Sequence, residues 1–165
     1  MSEQQPVVMT ELEKTMLAWI ASHTRTYLES GGTEGHIIDM GLLGGRAAQP
    51  TCLLRTIGRK SGEARILPLL YTYWGGEFIL MASRGGSDVH PGWYFNMTAV
   101  DTVDIQIGTQ AFRCAWRVTE GDERAEVWKL SVRNYPPVRD YTKNTTRVFP
   151  LVALKPVEAI PVFEA

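Results

Sequence analysis

Cysteine is scarce: the 165 residues hold two, Cys52 and Cys114, far apart and each set in strand-like sequence. That excludes a disulfide scaffold and a CxxC metal site, and points to two buried thiols in a reducing cytoplasm. Long apolar runs are missing as well. Phe78 to Ala82 is typical, far short of the ~20 residues that span a bilayer. The opening Ser2-Glu3-Gln4-Gln5-Pro6 lacks the basic flank and apolar core of a secretory signal. Charge of one sign is lacking too. A net charge of −1 and a pI near 6.3 supply no global field toward nucleic acid or anionic lipid, so any anion site must be a local cluster. His23, His36 and His90 show no HExxH spacing, and metal catalysis is not expected. GxGxxG and GxSxG are also absent, which excludes a Rossmann dinucleotide turn and a nucleophile elbow. Gly58-Arg59-Lys60-Ser61-Gly62 has Arg59 where a P-loop needs glycine, and it joins two strands rather than feeding a helix.

What remains is ordinary globular composition, 44% hydrophobic and 21% charged, of a length that suits one domain. Residues 1–9 read as a flexible N-terminus and 10–165 as a single domain. Thr10 and Glu13 form a capping box, with Met9 as its hydrophobic staple. Leu12, Met16, Ile20, Tyr27 and Leu28 then recur at near-helical spacing until Gly31-Gly32 stop the helix. Mixed charges on this helix favour packing on the domain over lying on a membrane.

Residues 33–50 read as loop. Strands follow at Thr51 to Ile57, Ala64 to Trp74 and Glu77 to Ser83, with links too short for a helical crossover, so neighbours must run antiparallel. Pro68 marks an edge or a bulge. Strict alternation in 102–107 and 112–118 gives two half-buried strands around a Gly108-Thr109-Gln110 turn. Pro91 to Thr98 suits a short helix, 122–133 a second amphipathic helix, Val138 to Asn144 a helical turn, and Val148 to Leu154 a last strand. Six strands in hairpins with helices grouped outside them argue for an α+β antiparallel barrel.

Two glycine-rich segments carry donors. In Gly58 to Gly62, Arg59, Lys60 and the Ser61 hydroxyl surround a turn whose glycines let backbone amides converge. Such a turn can bind phosphate or carboxylate, and it also suits a plain solvated hairpin. Ala82-Ser83-Arg84-Gly85-Gly86-Ser87 follows a buried strand, and its glycines permit close approach of a ligand. Beside it, His90-Pro91-Gly92-Trp93-Tyr94-Phe95-Asn96 gathers three aromatics at a helix start.

The run Leu53 to Gly62 with Arg65 and Pro68-Leu69, followed by Ala82 to Gly86, His90-Pro91 and Trp93 to Asn96, resembles the deazaflavin-dependent nitroreductase and quinone reductase family from about residue 50 to residue 155. The resemblance implies an FMN-binding-like split β-barrel with flanking helices that binds the 8-hydroxy-5-deazaflavin coenzyme F420. By it, Arg59, Lys60, Ser61 and Gly62 grip the acidic tail, while Pro68, Ser83, Arg84, Gly85, Gly86 and Trp93 line the ring and linker. Arg65, Ala82 and Asn96, from the same motifs, join the coenzyme-binding set. It further implies hydride transfer to a quinone, nitroaromatic or enone. It leaves open a homodimer and a peripheral contact of the N-terminal helix with the inner face of the membrane.

Hydride addition leaves an oxyanion, so a proton donor is needed, and a tyrosine is protonated at neutral pH. Tyr135 and Tyr141 flank the Pro136-Pro137 segment, which resembles the substrate-side segment of the family, and Val138 stands where several members carry an aromatic. Tyr141 is the candidate donor, a structural tyrosine the alternative, and Ser83 helps hold the acceptor or ring. Two rivals stand beside this reading: FMN in the same barrel, and a non-catalytic barrel that binds a lipid or stores the coenzyme. A bare phosphate or RNA binder is disfavoured by the acidic pI.

Overall fold

A computed structural model describes residues 10–165. The expected flexible segment 1–9, and the Met9 staple within it, lie outside the described residues. Helix α1 spans Glu11–Glu29, and its capping box is formed: the Glu13 amide donates to Thr10 Oγ1, and the Thr10 amide donates to the Glu13 carboxylate. Gly31 (φ +61°) and Gly32 (φ +87°) end it. Gly32 has a second reason to be glycine, because a Cβ there would lie 1.7 Å from the Gly108 carbonyl oxygen.

The strands are β1 (Ile37–Ile38), β2 (Gln49–Ile57), β3 (Ala64–Leu70), β4 (Thr72–Trp74) and β5 (Glu77–Met81). After α2 (Gly92–Thr98) come β6 (Thr102–Ile107) and β7 (Gln110–Val118), then α3 (Gly121–Asn134), α4 (Val138–Tyr141) and β8 (Leu151–Ile160). Every pairing is antiparallel, and the order runs β2–β6–β7–β8–β5–β4, with β3 on the other edge of β2. Because β3 and β4 are separated only by Tyr71, the sheet curls back to its start as a split barrel. The expected strand 64–74 is thus one bent strand, and with it the barrel holds the expected six.

Several boundaries differ from expectation; β2 starts at Gln49, β7 at Gln110, and α4 ends at Tyr141. The segment 33–50 contains the short β1 and a turn of 3₁₀ helix at Gly41–Leu43, held by backbone bonds that a hydrophobic pattern does not register. The third strand stops at Met81, where the backbone turns toward the positive-φ residues Arg84 to Gly86. The last strand starts at Leu151 and runs to Ile160, pairing with β7 across a bulge beside Pro156. That bulge interrupts the alternation by which the strand would have been read.

Alternate residues of β2 face opposite ways. Cys52 and Leu54 enter the barrel interior with Leu80, Ile105, Cys114, Val152, Leu154 and, from α2, Trp93 and Met97. Leu53 faces outward to Tyr27 and Phe163. Both cysteines are buried and free, and burial pushes Cys114 up to about 12 and Cys52 higher still, so both remain unreactive thiols. Tyr27 fastens α1 to the barrel: its hydroxyl accepts from the Gly108 amide at 2.7 Å and donates to the Thr51 carbonyl at 3.1 Å. Only His23 and Tyr27 of α1 are buried, so the apolar stripe read from Leu12 onward packs in its second half alone. β3 pairs with β2 only, and Pro68, opposite Leu53, sits on an edge strand as its missing N–H requires.

Candidate active site

The basic hairpin between β2 and β3 closes on itself. The Gly58 amide donates to the Glu63 carbonyl and the Gly62 amide to the Gly58 carbonyl, both at 2.8 Å, with Gly62 at φ +72°. Asn96 of α2 anchors it. Its Oδ1 accepts from the Arg59 amide and from Arg59 Nη1, both at 3.2 Å, while its Nδ2 donates to Thr56 Oγ1 at 3.3 Å. The Arg59 guanidinium lies over the Phe95 ring, 5.1 Å from its centroid. Asn96 is buried, and its polar atoms are engaged within the protein, while Arg59, Lys60, Ser61 and Gly62 are exposed. Arg65, also exposed, pairs with Glu63 at 3.2 Å.

The second loop sits at the other flank of α2. After Ser83, Arg84 (φ +46°), Gly85 (φ +62°) and Gly86 (φ +86°) are three successive left-handed residues. A Cβ on Gly85 would meet open space, but one on Gly86 would come within 2.6 Å of the Tyr141 carbonyl oxygen, so α4 rests directly on Gly86. Ala82 is fully buried beneath the loop. His90 packs against Tyr94 and Phe95, which places both loops on one aromatic cluster at the head of α2.

A cavity of about 450 Å³ opens beside this cluster. The consecutive residues Leu67 to Thr72 line it, as a free strand edge does. Pro68, Ser83, Arg84, Gly85, Trp93 and Tyr141 all border it. Arg59, Lys60, Ser61, Gly62, Arg65, Ala82, Gly86 and Asn96 lie outside its lining. The structure therefore divides the expected set: the residues expected at the ring border one apolar chamber, except Gly86, which is buried against the Tyr141 backbone, and those expected at the tail form a surface hairpin attached to it through α2.

The charges fit an anionic, ring-bearing coenzyme. Among the described residues, Arg59, Lys60 and Arg84 make no salt bridge, whereas Arg55, Arg113 and Arg117 pair with Asp104, Glu158, Glu77 and Glu123 on the barrel exterior. Unpaired cations beside positive-φ glycines are a disposition for phosphate or carboxylate. Trp93 and Pro68 offer flat apolar walls. Across the chamber, Tyr135 and Tyr141 place their hydroxyls 3.5 Å apart, and burial first, then Tyr141, pushes the Tyr135 phenol well above its ordinary value. Among the described residues, no group of three or more His, Cys, Asp or Glu is placed to hold a metal ion.

Sequence reasoning passed over three contributors. Met16, Trp19, Ile20 and His23 form the far wall of the cavity from one face of α1. Met16 and Ile20 entered the helical stripe, but Trp19 and His23, which complete the i, i+3, i+4, i+7 face, did not. Met40 and Leu43 border the cavity from the segment taken as loop. Arg147 grips the back of the Ser83 to Ser87 loop from a stretch with no periodicity, so no sequence signal marked it.

A curled antiparallel barrel with two donor loops over an apolar chamber defines the class, a split-barrel oxidoreductase. The family model of the F420H(2)-dependent quinone reductases matches residues 19–156, and the chain belongs to that family. Its relatives include the F420H(2)-dependent quinone reductase Rv1261c of Mycobacterium tuberculosis, 30% identical over 135 residues, or 80% of this chain and 86% of that one. Among solved structures, an F420-H2 dependent reductase (FDR-A) is 39% identical with a TM-score of 0.59, covering 64% of this chain and 94% of that one. A domain-swapped dimer is 36% identical with a TM-score of 0.62, covering 85% and 99%. The heme storage protein HutZ of Vibrio cholerae, 14% identical with a TM-score of 0.50 over 66% of this chain and 82% of its own, shares the fold alone.

Proposed function

We propose that this chain takes hydride from reduced coenzyme F420 and delivers it to a quinone or similar conjugated acceptor, with residues 10–165 acting as one coenzyme-binding domain. The observation that carries this reading is the single chamber bordered by Pro68, Ser83, Arg84, Gly85, Trp93 and Tyr141 together. When bound, the coenzyme supplies a two-electron hydride donor. The chain's own work is orientation, exclusion of water and proton supply. Arg59, Lys60 and the Ser61 hydroxyl hold the acidic tail outside the chamber at the turn that Gly62 permits, with Asn96 fixing the hairpin. Arg84, Gly85 and the Ser83 hydroxyl meet the coenzyme inside, between Pro68 and Trp93.

A quinone that gains hydride needs one proton to become the hydroquinone. The Tyr141 hydroxyl presents that proton to the oxygen on which charge develops. Tyr135, kept protonated by burial, backs it. The apolar wall of Met16, Trp19, Ile20, Ile38 and Leu43 receives the hydrocarbon part of the acceptor.

The test is oxidation of reduced F420 by menadione, followed through the returning fluorescence of the oxidised coenzyme, beside titrations with F420 and FMN. Turnover with tight F420 and weak FMN binding supports the reading. Tight F420 binding without turnover across a broad panel of quinones, nitroaromatics and enones makes the protein a coenzyme binder instead.

The protein works in the cytoplasm and meets the inner membrane face through α1. No helix among the described residues is long and apolar enough to cross a membrane. Leu12, Met16, Leu17 and Trp19 are, however, exposed on the first half of α1 beside the cavity, which supports an interfacial contact. The similarity to a domain-swapped dimer supports pairing of two copies. Flotation with quinone-loaded vesicles and sedimentation test these two points.

A further inference from the structure

Arg147, half-buried between α4 and β8, has its guanidinium 4.8 Å above the centroid of the Phe149 ring. Nη1 donates to the Ala82 carbonyl at 2.9 Å, Nη2 to the Ser83 carbonyl at 2.7 Å and Nε to the Ser87 carbonyl at 2.8 Å. Nη1 also meets His90 Nδ1 at 2.6 Å. A guanidinium cannot accept, so His90 does, carrying its own proton on Nε2. Among the described residues Arg147 makes no salt bridge; Asp88 attracts it and Arg84 repels it from a distance. A cation thus spends three donors on the carbonyls of one loop and a fourth on His90, with no carboxylate in contact.

The front of that loop follows from the back. In a trans peptide the carbonyl and the next amide point opposite ways. With the Ala82 and Ser83 carbonyls turned to Arg147, the Ser83 and Arg84 amides turn from it, on residues that border the cavity. Among the described residues the amides of Ser83, Arg84 and Gly85 donate to no acceptor. Ser83 is right-handed (φ −84°, ψ −35°), and Arg84 and Gly85 left-handed. That succession draws consecutive amides toward one point and forms a concave anion site.

We propose that Arg147 is a positioning residue for the coenzyme: it turns the Ser83 and Arg84 amides to the cavity and adds its charge behind them, so that the loop holds an anionic group of F420. The inference rests on the reading of this loop as part of the coenzyme site. It assigns no contact between Arg147 and the coenzyme.

The test uses the full chain, with fluorescence titration of oxidised F420, thermal melting without coenzyme, and steady-state KM for reduced F420 and for menadione. Arg147→Met weakens F420 binding about tenfold or more, because the amides it aligns lose their charge-assisted contact with the anion, and raises the KM for reduced F420 in step. The KM for menadione stays within about twofold. Arg147→Lys, which keeps the charge with fewer donors, recovers part of the affinity although it melts close to the methionine variant. Should Arg147→Met not fold, Arg147→Lys decides alone, through a loss of coenzyme affinity with an unchanged menadione KM. Both KM values rising together with the melting loss would make Arg147 merely structural and overturn the inference. Unchanged affinity in both variants, while Arg84→Gln weakens binding, also overturns it but keeps the loop as coenzyme site. Unchanged affinity in Arg84→Gln and Gly85→Val as well removes the underlying reading too.

Discussion

Alanine at Gly86 should break the link between the diglycine loop and the wall that carries Tyr141. Gly86 stands at φ +86°, and a Cβ there would lie 2.6 Å from the Tyr141 carbonyl oxygen and 3.1 Å from its Cα. Both atoms are backbone, so α4 itself must move. The left-handed conformation costs a non-glycine residue ~1–2 kcal/mol, and overpacking adds ~1–3 kcal/mol. Stiffening of the unfolded chain returns ~0.4–1 kcal/mol, leaving a net loss of roughly 2–4 kcal/mol. In a chain of this size each kcal/mol lowers Tm by ~2–4 °C, so the variant should melt roughly 5–15 °C lower. Gly85→Ala is the internal control. Its φ of +62° brings the same torsional strain, but no atom lies within 4 Å of its Cβ, so its loss should stop near ~1 kcal/mol, or ~2–4 °C. Thermal melts of both, with kcat for menadione, make the comparison. Gly86→Ala should also lose kcat, because Tyr141 shifts with α4. Equal melting losses in the two variants, or full kcat in Gly86→Ala, would refute the argument that α4 bears on Gly86.

The double change Arg59→Ala with Lys60→Ala should weaken F420 binding by ~2 kcal/mol or more, over tenfold, while moving Tm by only a few degrees, since both side chains are exposed. A fluorescence titration beside a melt separates a coenzyme clamp from a structural turn, for which both quantities would fall alike. Tyr141→Phe should cut kcat for menadione by about a hundredfold and leave the Kd for F420 unchanged, as loss of a proton donor requires. Unchanged kcat assigns the proton elsewhere. Burial and then Arg147 hold folded His90 below its ordinary 6.5. Between that lowered value and 6.5 the unfolded chain binds more protons, so His90 contributes stability in full above 6.5 and loses it as pH falls through the folded value. Melts from about pH 8 to about pH 5 should therefore decline, and His90→Gln, which cannot titrate, should flatten the curve.

Much of the barrel was legible because its signals are local. Thr10 and Glu13 announce the helix start, strict alternation announces β6 and β7, and short links force antiparallel neighbours. Pro68 marked an edge or a bulge from its chemistry alone, and β3 is the edge. The extent of β8 was not legible, because the bulge by Pro156 breaks its alternation. In the site, glycine and cation spacing disclosed the two loops, since positive φ and anion affinity are written in residue type. What fastens the loops was hidden. Asn96 acts through Arg59 and Thr56, 37 and 40 residues away, and Arg147 through carbonyls 60 to 65 residues away, contacts that no periodicity encodes. Backbone carbonyls also carry no sequence identity, so a residue that binds them leaves no partner to find.

Charge is arranged differently on the strands of the barrel and beside its chamber. On the strands, Asp104 joins Arg55 and Arg113, and Glu77 and Glu123 both meet Arg117, so these three cations are neutralised. Around the head of α2, Arg59, Lys60, Arg84 and Arg147 make no such pair among the described residues, although Asp88 attracts Arg147 from a distance more than Arg84 repels it. A chain of net charge −1 has carboxylates enough to compensate them, and their placement elsewhere leaves a positive field over the one chamber with open glycine loops. Such a site is stabilised by whatever anion fills it. A polyanionic coenzyme at a hundred times its Kd should raise the unfolding free energy by ~2.7 kcal/mol. If added salt lowers that gain while leaving the coenzyme-free melt unchanged, the attraction for the anion lies in this cluster; if salt moves both equally, the field belongs to the whole barrel and the local argument fails.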